Sequence, residues 1–219
     1  MKSLLKVMLI LGAIFASTFI LGRVLGILTV ENVQFWLEQA QTVDPLYVIG
    51  TVVLLLFIDL FVAVPTLTIM ILAGYFLGFP AGAATAFTGS AMAAFAGYGL
   101  SRKWGDRAIG FLIKDEKQRT ELEEAFYRNG PVMITLSRAA PIVTEVTACM
   151  AGATRMPFWR YVLFFSISTL PYVLIATYAG SISSLENPKP AIFGMLFLYL
   201  SLWIGWFLFR RSQGMTKRV

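Results

Sequence analysis

PLYVIGTVVLLLFIDLFVAVPTLTIMILAGYFLGFPAGAATAFTGSAMAAFAGYGLS, residues Pro45 to Ser101, carries one charge in 57 residues, Asp59. A run this apolar calls for lipid as its solvent, and at 1.5 Å rise per residue it is nearly long enough for three membrane spans. Its punctuation forbids three. Pro65, the Phe79-Pro80 pair and Gly74, Gly78 and Gly82 cut it into shorter pieces. Leu46 to Val64 and Thr66 to Phe79 therefore read as the two limbs of a hairpin. Ala81, Thr85, Gly89, Ala93, Gly97 and Ser101 then follow at i+4 intervals, a small-residue stripe that lets another helix approach closely in a bilayer. Ala81 to Ser101 is expected to be a packed full span.

The rest of the chain agrees with a membrane setting. Of its 219 residues 58% are hydrophobic and 14% charged, a balance outside that of ordinary soluble domains. The net charge of +6 comes from Lys and Arg at segment ends and in one central stretch. No basic run studded with aromatics points to nucleic acid, so topology charges and anionic lipid are the expected use of the cations. A single cysteine, Cys149, and no histidine leave no internal disulfide, no zinc cluster and no histidine base. No cofactor or metal is expected.

Leu4 to Leu28, preceded by Lys2 and lacking a small-x-small cleavage site, reads as a retained first span. Val33, Trp36, Leu37 and Ala40 recur at helical spacing as a short interfacial helix. Arg102 to Arg128 is the one charged stretch, amphipathic through Ile109, Leu112, Leu122, Ala125 and Phe126, and is expected on the membrane surface. Asn129-Gly130 reads as a turn. After it, Pro131 to Arg155 is a second interrupted apolar segment. Pro157 to Ser181 and Ala191 to Phe209 read as full spans. Arg155 and Arg160, with Trp159 and Tyr161, are expected to anchor the start of the first of these at the interface. The organisation is then residues 1–44, a span and interfacial helix; 45–181, the membrane core; and 182–219, a last span and basic tail. Within the core lie a hairpin (45–80), a span (81–101), a surface stretch (102–128), a second hairpin (129–156) and a span (157–181).

The positive-inside rule counts Lys and Arg near span ends. Lys2 and Lys6, the cations from Arg102 to Arg128, and Arg210, Arg211, Lys217 and Arg218 fall on one side only if each Pro-broken segment re-enters and leaves by the face it entered. The fold expected is thus an all-α integral membrane protein. It has about four full transmembrane helices and two re-entrant hairpins entering from opposite sides, in an inner (plasma) membrane, with both termini cytoplasmic. The halves also read alike: Pro65, Ala73-Gly74, Pro80 and a span match Pro141, Ala151-Gly152, Pro157 and a span. Inverted repeats with broken helices meeting at the midplane are the usual plan of secondary transporters.

Asp59, Arg138 and Glu145 are the ionisable groups this topology places deep in the hydrocarbon, where each costs a few kcal/mol and needs a partner or a wet cavity. One reading is an anion-binding arginine beside protonatable carboxylates; the other is a static buried ion pair. Pro65 and Pro141 each remove an amide donor and favour helix breaks that aim half-helix N-termini at the midplane.

Several of these residues form a recognisable set: Pro65 with Ala73-Gly74-Tyr75, Gly97-Tyr98 followed by Arg102 and Gly105, Ser137-Arg138-Ala139-Ala140-Pro141, and Ala151-Gly152 with Met156-Pro157-Phe158. From Asp59 to Ser181 the chain resembles the DedA family, also called the SNARE-associated Golgi protein or VTT-domain family. The resemblance implies two opposed re-entrant hairpins and a role in moving lipids or lipid-linked carriers such as undecaprenyl phosphate, with protons as the candidate driving ion. Asp59 and Arg138 match the family's membrane acid and first hairpin arginine. Two positions depart: Thr66 to Thr68 lacks the acid often found after the proline, and Thr144 stands where a second arginine often follows. Glu145 is a candidate to replace part of that chemistry.

The leading expectation is a translocator of a phospholipid or polyprenyl phosphate, with Arg138, Asp59, Glu145, Pro65, Pro141 and Thr144 forming its path. Membrane lipids are its expected partners and a homo-oligomer stays open. A proton-coupled transporter of a small ion or solute using the same residues is the alternative, and a membrane scaffold without transport the third. No nucleophile and base pair can be assembled, so no enzyme is expected.

Overall fold

The computed structural model describes residues 7–13, 16–17, 20, 35, 44–62, 64–112, 115–139, 143–183 and 189–215. The interfacial helix expected around Trp36, most of the span expected from Leu4 to Leu28, Pro141 and the basic tail at Lys217 and Arg218 lie outside them. Among the described residues the chain is helical with no strand. Residues 7–13 are helical, and Val7 packs into the core.

Helix α1 (Pro45–Ile58) starts where Asp44 caps it, its Oδ1 accepting from the Leu46 amide at 2.7 Å, with Pro45 in the first turn, where it gives up no helical hydrogen bond. The helix ends at Asp59. Helix α2 (Thr66–Leu77) begins directly after Pro65, so the break falls between Asp59 and Pro65. Gly78, at φ +76°, stops α2 in a conformation open to glycine, and α3 (Phe79–Leu112) starts at once with Pro80 in its first turn. After Asp115 caps it through the Lys117 amide, α4 runs Glu116–Leu136 and gives way to a 3₁₀ turn at Ser137–Ala139. Helix α5 (Val143–Ala153) closes with Arg155 at φ +54° and the Met156 amide donating to the Ala151 carbonyl, a Schellman end. Helices α6 (Phe158–Ser181) and α7 (Lys189–Met215) complete the chain.

Two boundaries differ from the sequence reading. Helix α3 does not end at Ser101 but continues through Arg102 and Lys103 to Leu112, about 50 Å in all, because a change from apolar to charged residues alters a helix's surroundings without breaking its hydrogen bonds. Asn129-Gly130 is not a turn. Both residues are helical within α4, as is Pro131. Asn129 Nδ2 donates to the Ala125 carbonyl at 2.9 Å, and Gly130 is buried against Phe126 and the Met156 methyl. Pro131 removes the amide that would bond the Tyr127 carbonyl. Arg160 Nη2 supplies a donor there instead, at 3.2 Å.

Helices α1, α2 and α5 are about 16 to 21 Å long, short of a bilayer's hydrocarbon core. Where about four spans were expected, α6 is the one described helix both long and apolar enough to cross a membrane. Helix α3 has the length, but its Ala, Gly and Ser content lowers its apolarity.

Packing is exchanged between the halves. Helix α2 lies chiefly on α6, and α5 on α3. Both contacts are backbone-close at glycine. A methyl group at Gly74 would overlap the Thr177 carbonyl and one at Gly180 the Ile71 carbonyl; a methyl at Gly152 would overlap the Tyr98 carbonyl and one at Gly105 would sit 2.6 Å from Ala153 Cβ. The Ala-Gly pairs at 73–74 and 151–152 thus do the same task, letting each half's short helix seat on the other half's long one. Two apolar clusters result, one around Met70, Ile69 and Val173 and the other around Phe126, Met150 and Tyr161, with Phe87 against both.

Candidate functional site

Residues flanking the first break and residues flanking positions 140–142 line one cavity. The end of α1 contributes Leu56, Asp59 and Leu60, and the start of α2 contributes Thr66; α3 contributes Ser90, Ala93 and Ala94; the 3₁₀ turn contributes Arg138; and the start of α5 contributes Thr144, Glu145 and Ala148. The cavity leaves about 20 Å³ for the centre of a water-sized sphere, room for one ordered water. The residues at the helix starts, Thr66 and Thr144, put the positive ends of two helix dipoles beside it.

The sequence-predicted residues converge here. Asp59 is 8% exposed, and its Oδ1 accepts from the Val64 amide at 2.9 Å. That bond ties the carboxyl to the backbone just before Pro65 and fixes the shape of the break. Pro65 itself does not line the cavity; it stands as the first flanking residue of α2. Pro141 lies outside the described residues. The Thr144 carbonyl accepts from Thr147 Oγ1 at 2.9 Å, and Thr144 lines the cavity. Asp59 from the end of α1 and Glu145 from the start of α5 line the same cavity.

Arg138 is held from behind. Its Nη2 donates to Thr169 Oγ1 at 3.3 Å, and the guanidinium stands over the Tyr172 ring, 5.4 Å from its centre. Its Nε and the Oε2 of Glu145 are buried with no hydrogen-bond partner. Thus a buried donor and a buried acceptor stay unused on two residues that line one small cavity.

Thr169 and Tyr172 were missed by the sequence reading. The signal available was a polar pair at i and i+3, on one face of an apolar helix and astride Pro171. Tyr161 was misplaced: it is not an interfacial anchor but is buried, stacked on Tyr98 with ring centres 5.1 Å apart. Trp159 is 80% exposed. Arg160 turns to Tyr127, standing 4.2 Å above its ring while bonding its carbonyl. Farther along α3, Tyr98 donates its hydroxyl proton to the Met156 carbonyl, and Arg102 Nη1 donates to the Tyr98 oxygen at 2.7 Å. These bonds lock the end of α5 to α3 and so hold Glu145 over the cavity.

Comparison with known proteins adds a family. No curated protein and no solved structure matches the chain. The family model for the VTT domain matches residues 64–182, from the break before α2 to the end of α6. That span covers more than half of the chain, both Ala-Gly contacts and every cavity residue from Thr66 onward, and the protein belongs to the VTT-domain family, the DedA or SNARE-associated Golgi protein family.

Proposed function

We propose that the protein is a multi-pass transporter of an inner (plasma) membrane that moves the phosphate headgroup of a phospholipid or polyprenyl phosphate between leaflets. The family is one of membrane proteins. The observation that carries the reading is the cavity between the two interrupted segments, with Arg138 and Glu145 in its lining and Arg138 Nε and Glu145 Oε2 buried and unpartnered. In this reading α1–α2 and α4–α5 are re-entrant hairpins from opposite faces, and both termini are cytoplasmic.

A guanidinium presents a planar fork that suits phosphate oxygens. Arg138 spends one Nη2 donor on Thr169 and has further donors, and because the residue lines the cavity a phosphate would approach it from there. The amides at the starts of α2 and α5 add partial positive charge from two directions. As it stands the cavity has room for a water and not for a phosphate. Headgroup entry requires the Thr66 and Glu145 ends to part, while the acyl or prenyl tails remain in lipid. Nothing in this scheme forms or breaks a covalent bond.

The cavity lining holds a single cation, Arg138, with Asp59, Glu145 and the hydroxyl residues Thr66, Ser90 and Thr144, and one guanidinium beside two helix starts suits one phosphate headgroup. The purified protein in vesicles should move labelled phospholipid or polyprenyl phosphate between leaflets. Absence of lipid movement together with proton or solute flux removed by Asp59→Asn would favour the alternative transporter. Absence of both would leave a scaffold.

A further inference from the structure

Rigid contacts sort the helices into two sets. One set is α1, α3 and α5: a methyl group at Gly89 would stand 3.1 Å from Val53 Cα, one at Gly105 would stand 2.6 Å from Ala153 Cβ, and one at Gly152 would overlap the Tyr98 carbonyl. The other set gathers α2, α4 and α7 on α6. Gly74 and Gly180 seat α2 there, and a methyl at Gly194 of α7 would stand 2.5 Å from Ala179 Cβ. Arg160 Nη2 donates to the Tyr127 carbonyl at 3.2 Å and Ser168 Oγ to the Thr135 carbonyl at 2.8 Å. Tyr127 to Thr135 and Arg160 to Ser168 are both steps of eight residues, so α4 and α6 run parallel, pinned in one register. The 3₁₀ turn joins this set through the bond from Arg138 to Thr169.

Between the sets the contacts are of another kind. Phe87 and Phe95 of α3 meet Phe165 of α6 with ring centres 6.2 and 5.6 Å apart, and Tyr98 stacks on Tyr161. A ring can turn about its χ angles, whereas a carbonyl pressed on a glycine cannot move aside without its helix. A hydrogen bond that crosses, from Tyr161 to the Ala94 carbonyl, is long at 3.4 Å. One crossing contact is backbone-close: a methyl at Gly82 would stand 2.6 Å from the Ala73 carbonyl oxygen. It lies in the first turn of α3, beside the Gly78 joint, where a pivot would be. The described links from one set to the other also leave the helical conformation, at the turn after Asp59, at Gly78 (φ +76°), and from Arg155 (φ +54°) to Pro157. Element ends of this sort are where hinges absorb backbone rotation.

We infer that the protein moves as two rigid units, one of α1, α3 and α5 and one of α2, α4, α6 and α7, which hinge at these links and part along the aromatic seam. The moving parts are therefore not the two sequence halves, because each unit takes helices from both. The cavity lies on the seam. Arg138 and Thr66 belong to the second unit, and Asp59, Ser90, Thr144 and Glu145 to the first. Parting the units draws the arginine away from the carboxyl groups and widens the space between them. That the opening admits a headgroup rests on the function proposed above; the two units rest on the packing.

The test is spin-label distance measurement by double electron–electron resonance on the full chain in phosphatidylcholine vesicles, with pairs of cysteines in a Cys149→Ser background. Leu54 and Leu100 are exposed sites of the first unit, and Tyr75 and Leu163 of the second, so each label has one partner in its own unit and one across the seam. The pairs 54 with 100 and 75 with 163 should each give one narrow distance. The pairs 54 with 163 and 75 with 100 should give broad or two-peaked distributions. Four distributions of equal width, or breadth confined to the pairs within a unit, overturn the inference. A second measurement uses other residues and decides by itself should a labelled pair fail to fold. A disulfide between cysteines at Phe95 and Phe158, whose rings lie 5.4 Å apart across the seam, should slow lipid exchange about tenfold or more until it is reduced. One between cysteines at Thr135 and Ser168, within a unit, should leave the rate unchanged. Exchange that ignores the first bridge overturns the inference. Broad distances across the seam with no lipid movement by the parent support the two units and overturn the transport reading.

Discussion

Replacing Gly74 by alanine tests the exchanged packing at its tightest point. The added methyl would overlap the Thr177 carbonyl oxygen and sit 2.7 Å from both Thr177 C and Cα. These are backbone atoms and cannot rotate away, so α2 and α6 must separate by roughly 1 Å, at which a contact loses about a quarter to a half of its dispersion energy. Overpacking of a rigid site costs about 1–3 kcal/mol, and the backbone partner puts this case near 3. For a chain of this length that is a fall of about 6–12 °C in Tm. Gly152→Ala, against the Tyr98 carbonyl, should match it. Gly50 and Gly99 are exposed helical glycines whose added methyl would meet nothing within 4 Å; alanine there should hold or raise Tm, by up to about 1 kcal/mol of helix propensity. Thermal unfolding of the four variants in one detergent reads the comparison. If Gly74→Ala and Gly152→Ala melt with Gly50→Ala and Gly99→Ala, the close helix contacts are wrong.

Thr169→Val keeps the volume and removes the acceptor for Arg138. The bond is long at 3.3 Å, so about 1 kcal/mol is at stake; leaflet exchange should slow about fivefold and Tm should fall by no more than about 2–4 °C. Tyr98→Phe takes away the donor to the Met156 carbonyl and the acceptor for Arg102; a loss of about 1–3 kcal/mol should appear in Tm, and Arg102→Leu, which leaves the Tyr98 bond, should cost less. In a Cys149→Ser background, a cysteine at Gln118 should label only from the cytoplasmic side and one at Lys189 only from outside; Gln118 labelling from outside would rule out opposed hairpins.

The residues that gather at the cavity were legible because each is an anomaly in its setting. Asp59, Arg138 and Glu145 are charges in apolar sequence, and Pro65 and Pro157 stand at helix starts in the structure as their missing amides require. The Ala-Gly pairs were visible as a repeat, but their partners were not: that Gly74 meets Thr177, over a hundred residues away, depends on tertiary packing. Helix α3 outran its expected end because polarity marks what surrounds a helix and not where its ladder stops. Asn129-Gly130-Pro131 carried three turn-formers, yet Arg160 serves the carbonyl that Pro131 frees and the segment stays helical. Tyr161 looked interfacial beside Trp159. Two residues along a helix point about 200° apart, and only its burial on Tyr98 shows which of them faces the core.

The central claim is that Arg138 takes a phosphate into the cavity between the two breaks. Its most direct measurement is the leaflet-exchange rate of a labelled phospholipid or polyprenyl phosphate in vesicles holding the parent, Arg138→Ala or Arg138→Lys, with Tm recorded for each. Arg138→Ala should slow exchange at least tenfold, about 1.4 kcal/mol in the barrier, with Arg138→Lys between it and the parent and all three melting alike. Exchange by Arg138→Ala at the parent rate, or a loss matched by a collapse in Tm, would contradict the account.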